Sequence, residues 1–210
     1  MKSSLLSVAV LGLVVIAAQS ASVPKVSLYY ESLCPFCHAF FLQQLAPTYE
    51  ALKGHIEVEL VPFGNVRVTE GAGGHREYHC QHGEAECYGN RVHSCGLALI
   101  TDKDEAFKFI KCNFAAPNFH DTHHVGEHCA KEMHLDWAKL KACVDGHQGD
   151  QLIEANWKKT AALTPRKTGV PWVLVDNQHT DVIQHEARNH LQVFLCTKYL
   201  KGVNIAACHH

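Results

Sequence analysis

Val26-Ser27-Leu28-Tyr29-Tyr30-Glu31-Ser32-Leu33-Cys34-Pro35-Phe36-Cys37 is the stretch that decides the fold. Val26 to Tyr30 is β-branched and aromatic, the composition of a buried strand. Pro35 suits the first position of a helix, where its missing N–H costs nothing. Cys34 and Cys37 stand two residues apart where a strand hands over to a helix. Such a pair is a unit of dithiol chemistry: one thiolate attacks a disulfide, a mixed disulfide forms, and the second thiol resolves it.

Outward from this stretch, Phe36, Phe40, Phe41, Leu45, Tyr49 and Leu52 recur at near-helical spacing, and Pro47 is expected to kink or divide that helix. Ile56 to Phe63 reads as a second strand, with Ile56, Val58 and Leu60 alternating against polar residues, ended by a turn at Phe63-Gly64-Asn65. From about residue 71 to 149 the chain becomes rich in Cys, His and Gly. Apolar residues there fall at three- and four-residue spacings over Leu97–Phe109 and His128–Val144, which predicts a mainly helical, disulfide-stapled insertion. Asp150–Leu163 is a further amphipathic helix. Val170-Pro171 then leads the apolar run Trp172–Val175, and a proline is tolerated at a strand's first residue. A short strand near Gln178–Ile183 and a closing helix over Glu186–Leu200 complete the order, with Leu191, Val193, Phe194, Leu195 and Leu200 facing inward. The class is α/β.

The chain has 210 residues and opens with Lys2 and an apolar run from Leu5 to Ala18, followed by small residues at Ala18-Gln19-Ser20. This has the form of a secretory signal over residues 1–20 and falls short of the roughly 20 apolar residues that span a bilayer. The expectation is one domain over 21–210, without a membrane anchor. All ten cysteines lie beyond the signal, an even number that suits an oxidising compartment. Setting Cys34 and Cys37 aside leaves eight for structural bridges. Local closure favours Cys196 with Cys208, and pairing within Cys80, Cys87 and Cys95 and within Cys112, Cys129 and Cys143. The net charge of −2 carries no nucleic-acid footprint, whereas protonating all 17 histidines would move it to +15.

A strand, a Cys-x-x-Cys opening a helix, and a distant Val-Pro leading a late strand together resemble the thioredoxin fold. That resemblance implies a cis peptide bond at Val170-Pro171, packed against the dithiol, with the Val170 backbone holding an incoming polypeptide as an added strand. Pro35 and Phe36, between the cysteines, are expected at the same substrate-facing surface. A second motif is longer. Cys80, Gln81, His82, Gly83, Glu86, Cys87, Asn90 and Cys95 match every fixed position of the signature of gamma-interferon-inducible lysosomal thiol reductases. The chain resembles that family along nearly its whole mature length. The resemblance implies reduction of protein disulfides in acid, with Cys34 as nucleophile and Cys37 as resolving thiol. It implies no tightly bound cofactor, and a small thiol, cysteine or glutathione, as electron donor. His82, Glu86 and Asn90 are expected to hold their own loop by hydrogen bonds, with substrate contact as the sharper alternative. His38 is read as a surface residue.

Chemistry in acid is demanding, because a thiol of pKa about 8.5 is only ~0.03 % ionised at pH 5. A helix N-terminus supplies at most about 1.5 pKa units, so hydrogen bonds to the Cys34 sulfur must supply the rest. The chain has no Asn-x-Ser/Thr sequon. Sorting by an N-glycan is therefore not expected, and both secreted and endolysosomal destinations stay open. Two other readings stand beside the reductase: a secreted binding protein, for instance in defence, and a metal binder built on His120, His123, His124, His128 and Cys129.

Overall fold

The computed structural model describes residues 23–209 apart from 72, 74 and 75. The signal expected over 1–20 lies outside them. Strand β1 (Lys25–Tyr30) is the centre of a three-stranded sheet. It pairs in parallel with β2 (Glu57–Pro62), Val26 opposite Val58 and Tyr30 opposite Pro62. A parallel pair needs a long crossover, and the helical segment from Pro35 to Ala51 supplies it: α1 (Pro35–Phe40), a π-helical turn (Phe41–Leu45) and α2 (Ala46–Ala51). Pro47 does not divide this segment. Leu45 and Ala46 keep helical angles, and the wide turn directly before the proline is closed by the Ala46 N–H, which donates to the Phe41 carbonyl.

The alternation of β1 places Val26, Leu28 and Tyr30, all fully buried, in the main core with the helices. Tyr29 turns to the opposite face and packs with Val61, Leu163, Trp172 and Leu174. Both faces are therefore covered, which explains why β1 reads as a nearly unbroken apolar run.

Between β2 and the last strand lie a hairpin and five helices. The hairpin, β3 (Arg67–Glu70) and β4 (Arg76–His79), has no counterpart in the sequence reading. Its strands are short and largely exposed, so no apolar stripe marks them. Helices α3 (Glu84–Leu99), α4 (Lys103–Ala115), α5 (Thr122–Glu132), α6 (Trp137–Asp145) and α7 (His147–Ala161) follow. The expected helical patches over 97–109 and 128–144 each straddle a break. Asp102 caps α4, accepting from the Asp104 and Glu105 N–H groups, and Asp136 caps α6, accepting from Lys139. Apolar spacing ran across both gaps, and the capping aspartates set the boundaries.

Strand β5 (Trp172–Val175) closes the sheet antiparallel to β1, with Trp172 opposite Tyr29. The strand expected near Gln178–Ile183 is not there. Gln178 makes a single bridge to Val175, and Thr180 caps α8 (Asp181–Phe194), its hydroxyl accepting from the Ile183 N–H at 3.1 Å. Val193 faces solvent, against expectation, while Leu191, Phe194, Leu195 and Leu200 are buried. No helix among the described residues is long and apolar enough to cross a membrane.

Four disulfides staple the helices: Cys80–Cys87, Cys95–Cys143, Cys112–Cys129 and Cys196–Cys208. Three follow the local groupings. Cys95 departs from its group and ties α3 to Cys143 on α6, a contact between packed helices that sequence proximity does not signal.

Candidate active site

Cys34 and Cys37 are the free cysteines, and both are buried, Cys34 with 4 % of its surface exposed. Cys34 is the N-cap of α1, with extended backbone angles, and Pro35 opens the first turn. The Cys37 backbone N–H donates to the Cys34 sulfur at 3.3 Å. The Cys37 thiol's hydrogen bond to that sulfur, which outweighs the opposing cost of burial, helps bring Cys34 down to about 6, aided by the Cys37 and Phe36 N–H groups and the positive charge of His82. Burial first, then its own bond to Cys34 and the charge there, push the Cys37 thiol far up. The two sulfurs thus divide the work of ionisation: one holds a thiolate and the other keeps its proton. Phe36, between them, is 65 % exposed. His38 is half-buried, its ring stacked on Phe119 at 4.4 Å.

The signature residues reach this turn from α3 and the loop before it. The Ser32 N–H donates to Asn90 Oδ1 at 2.9 Å, and the Ser32 hydroxyl donates to the Glu86 carbonyl at 3.1 Å. His82 Nδ1 lies 2.5 Å from Glu86 Oε2, and the His82 backbone N–H donates to Glu86 Oε1 at 3.1 Å. Gln81 Oε1 accepts from Asn65 Nδ2 at 2.9 Å, while the Asn65 N–H donates to Glu31. Gly83 starts α3 with φ of 79°, and the Cys80–Cys87 bridge closes the loop that carries Gln81 and His82. His82, Glu86 and Asn90 therefore do more than hold their own loop: they brace Glu31 and Ser32, the residues that lead into Cys34. Cys95 sits apart from the dithiol in its bridge to Cys143.

Two glycines make this packing possible. A Cβ on Gly89 would stand 2.5 Å from Ser32 Oγ, and one on Gly64, whose φ is 61°, would stand 2.3 Å from Glu31 Cγ. Glu31 itself was missed in the sequence. Its signal was a lone carboxylate at the end of a buried strand, three residues before the first cysteine.

The Val170-Pro171 peptide bond is cis. Because β5 runs antiparallel to β1 with Trp172 opposite Tyr29, Pro171 comes to the end of β1 from which the Cys34 turn departs. The Gln184 amide donates to the Pro171 carbonyl at 2.8 Å and accepts from the Val173 N–H at 3.0 Å. His179 Nδ1 lies 2.8 Å from the Val173 carbonyl, and its ring stacks on Trp172 at 3.5 Å. No hydrogen bond among the described residues engages the Val170 backbone.

The histidines at 120, 123, 124 and 128 do not converge into a group of three ligands among the described residues, and Cys129 is bonded to Cys112. Glu31, His82 and Glu86 do gather, with ligand atoms within 4.8 Å of one another, but Glu86 and His82 are engaged with each other.

The sheet and the split thiol pair at a helix N-terminus define a thiol-disulfide oxidoreductase of the thioredoxin-like class. A thioredoxin-like oxidoreductase from Silicibacter pomeroyi has the same fold, with a TM-score of 0.53 at 12 % identity over 78 % of this chain and 83 % of that one. Residues 25–133 match the family described as gamma interferon inducible lysosomal thiol reductase (GILT), and the chain belongs to that family. It is 38 % identical over 191 residues to the gamma-interferon-inducible lysosomal thiol reductase of Carassius auratus, covering 90 % of this chain and 73 % of that protein. It is 33 % identical over 197 residues to GILT-like protein 1 of Drosophila melanogaster, covering 88 % and 78 %.

Proposed function

We propose that the protein reduces disulfide bonds of polypeptides in mildly acidic surroundings, with Cys34 as the attacking sulfur. The Cys34 thiolate attacks one sulfur of the client disulfide. The other client sulfur leaves as a thiolate and takes a proton from water. Cys37 then loses its proton and attacks Cys34, which releases the second client sulfur and leaves a Cys34–Cys37 disulfide. Two molecules of a small thiol, cysteine or glutathione, restore the dithiol and depart joined as their own disulfide. A stable thiolate favours the reduced enzyme and makes the pair a good oxidant, so net reduction depends on this recharging.

The observation that carries the reading is the hydrogen-bonded Cys34 sulfur, held near 6 by its Cys37 partner. At pH 5 this leaves about one Cys34 in ten ionised, roughly 300-fold more than a thiol of pKa 8.5. A less basic sulfur is also a weaker nucleophile, by about 13-fold for that difference, so the net gain in acid is about 20-fold. The same arithmetic at pH 7 gives only about twofold. The lowered sulfur is thus of most use in acid.

Val170 presents an unpaired backbone beside the cis proline, which suits pairing with an extended client, and Pro35 and Phe36 offer apolar surface next to the reactive sulfur. An oxidising, acidic part of the secretory pathway, endolysosomal or extracellular, suits four structural disulfides and this acid chemistry. The test is reduction of a denatured disulfide protein across about pH 4 to 8, with cysteine as donor. Activity that peaks in acid and requires Cys34 supports the reading; activity that vanishes in acid overturns it.

A further inference from the structure

Beside the dithiol lies a group of ionisable side chains that this reading, on which the following rests, does not yet use. Glu31 and Glu86 have no exposed side-chain surface. Two buried carboxyls whose oxygens lie within 4.8 Å are costly unless a proton or a cation neutralises one of them. Glu31 Oε1 accepts the Asn65 N–H, whereas Glu31 Oε2 is buried with no hydrogen-bond partner, 3.8 Å from His82 Nδ1. Around Glu31 stand Cys34 and Cys37 from the turn and α1, Glu86 from α3, and His82 from the loop before it. Lys167 approaches from the loop before β5, its ammonium donating to Asn65 Oδ1 at 2.7 Å.

We propose that Glu31, His82 and Glu86 are positioning residues that preserve the Cys34 thiolate in acid, because Glu31 takes up a proton and His82 gains charge as the medium acidifies. No electrons move in this step. A solvent proton neutralises Glu31, and its negative field on the Cys34 sulfur is withdrawn as thiolate becomes scarce. Burial, then the charge of Glu86, push Glu31 up to about 7 against the pull of the Asn65 N–H, with the Cys34 charge adding to the rise and His82 lowering it. For His82, burial opposes the charged ring, but the Glu86 hydrogen bond and the charges of Glu86, Glu31 and Cys34 raise it above the ordinary histidine value. The coupling is reciprocal: if the Cys34 charge raises Glu31, the Glu31 charge raises Cys34 by the same amount. Cys34 therefore titrates over a wider span than an isolated thiol. On this view, signature positions 82 and 86 tune the sulfur as well as brace its loop.

The test follows ionisation of Cys34 in the reduced full-length chain, with a metal chelator present. Thiolate ultraviolet absorbance and the rate of alkylation by iodoacetamide are read across about pH 4 to 8. In the wild type the labelling curve is expected to be broader than that of a single thiol, taking clearly more than about two pH units to pass from one-tenth to nine-tenths ionised. Glu31→Gln keeps an oxygen for the Asn65 N–H and removes the charge. Its midpoint should drop by about one pH unit, with a steeper curve. His82→Gln should shift the midpoint upward and slow labelling in acid several-fold. Coincident curves for wild type and Glu31→Gln overturn the role given to this cluster while leaving the reductase reading intact. A wild-type Cys34 that fails to label in acid removes that reading as well. Should Glu31→Gln fail to fold, carbon NMR of the Glu31 carboxyl in the wild type replaces it. Its midpoint must fall when Cys34 is alkylated, and an unmoved midpoint overturns the coupling.

Discussion

Asn90 and Ser32 are 58 positions apart in the chain, yet the Asn90 side-chain oxygen accepts the Ser32 backbone N–H at 2.9 Å, both residues buried. This bond ties the middle of α3 to the turn that delivers Cys34. Asn90→Ala leaves that N–H buried and unpaired, at a cost of about 1–3 kcal/mol. Chemical denaturation should show that loss, and the alkylation rate of Cys34 should change with it. Wild-type stability in the variant would mean that water or a shifted backbone replaces the bond.

The two thiols are predicted to behave unequally. Cys34→Ser should abolish reduction of a denatured disulfide protein, whereas Cys37→Ser should accumulate an enzyme–client mixed disulfide detectable by mass spectrometry. Cys37→Ala should raise the Cys34 midpoint, because the thiol donor to its sulfur is gone. Full activity in Cys34→Ser would remove the assignment of the nucleophile.

Two buried groups, His93 and Glu31, make opposing contributions to stability against pH. His93 is buried against Tyr30 Oη, 3.0 Å from its Nδ1, and burial lowers it to about 3. A histidine depressed in the folded state lets the unfolded chain bind its proton first, so stability is lost as pH falls below about 6.5, by about 2 kcal/mol at pH 5. Glu31 is raised to about 7, chiefly by burial. The folded state binds that proton first, so stability is gained as pH falls through 7 toward its unfolded value, by a similar amount. These two nearly cancel between about pH 7 and 5, and the Cys34 thiol, lowered to about 6 in the folded state, adds a loss of stability on acidification in the reduced protein. His93→Gln should make the protein gain stability on acidification over that span, and Glu31→Gln should make it lose stability. Urea unfolding at a series of pH values reads both, and parallel profiles for the two variants would contradict the account.

The bridges should rank by the loops they close. Removing Cys95–Cys143, separated by 48 positions, should cost about 4 kcal/mol, and removing Cys80–Cys87, separated by 7, about 2 kcal/mol. The smaller loss should nevertheless disturb Cys34 more, because that loop carries His82. Equal effects on Cys34 alkylation from both replacements would count against this.

The dithiol turn was legible because strand, cysteine spacing and Pro35 all point the same way, and the cis proline was legible only through the resemblance of the dithiol and the distant Val170-Pro171 to the thioredoxin pattern. Helix existence was also readable, but Asp102 and Asp136, whose caps divide the long apolar patterns, were passed over. The hairpin was hidden because Arg67–Glu70 and Arg76–His79 bury too little to leave a period of two. Glu31 escaped because its environment is assembled from Asn65, His82, Glu86 and Lys167, residues that only the folded chain brings together. The departure of Cys95 to Cys143 is hidden for the same reason.

The outer margin of β5 has one more consequence. An open sheet rim is an invitation for copies of a protein to stack into fibrils. Here Gln184 and His179 occupy the groups of Pro171 and Val173 that such stacking would need. With the proposed client pairing confined to Val170, the rungs beyond it are already taken, and the rim of β5 offers no ladder along which aggregation could spread.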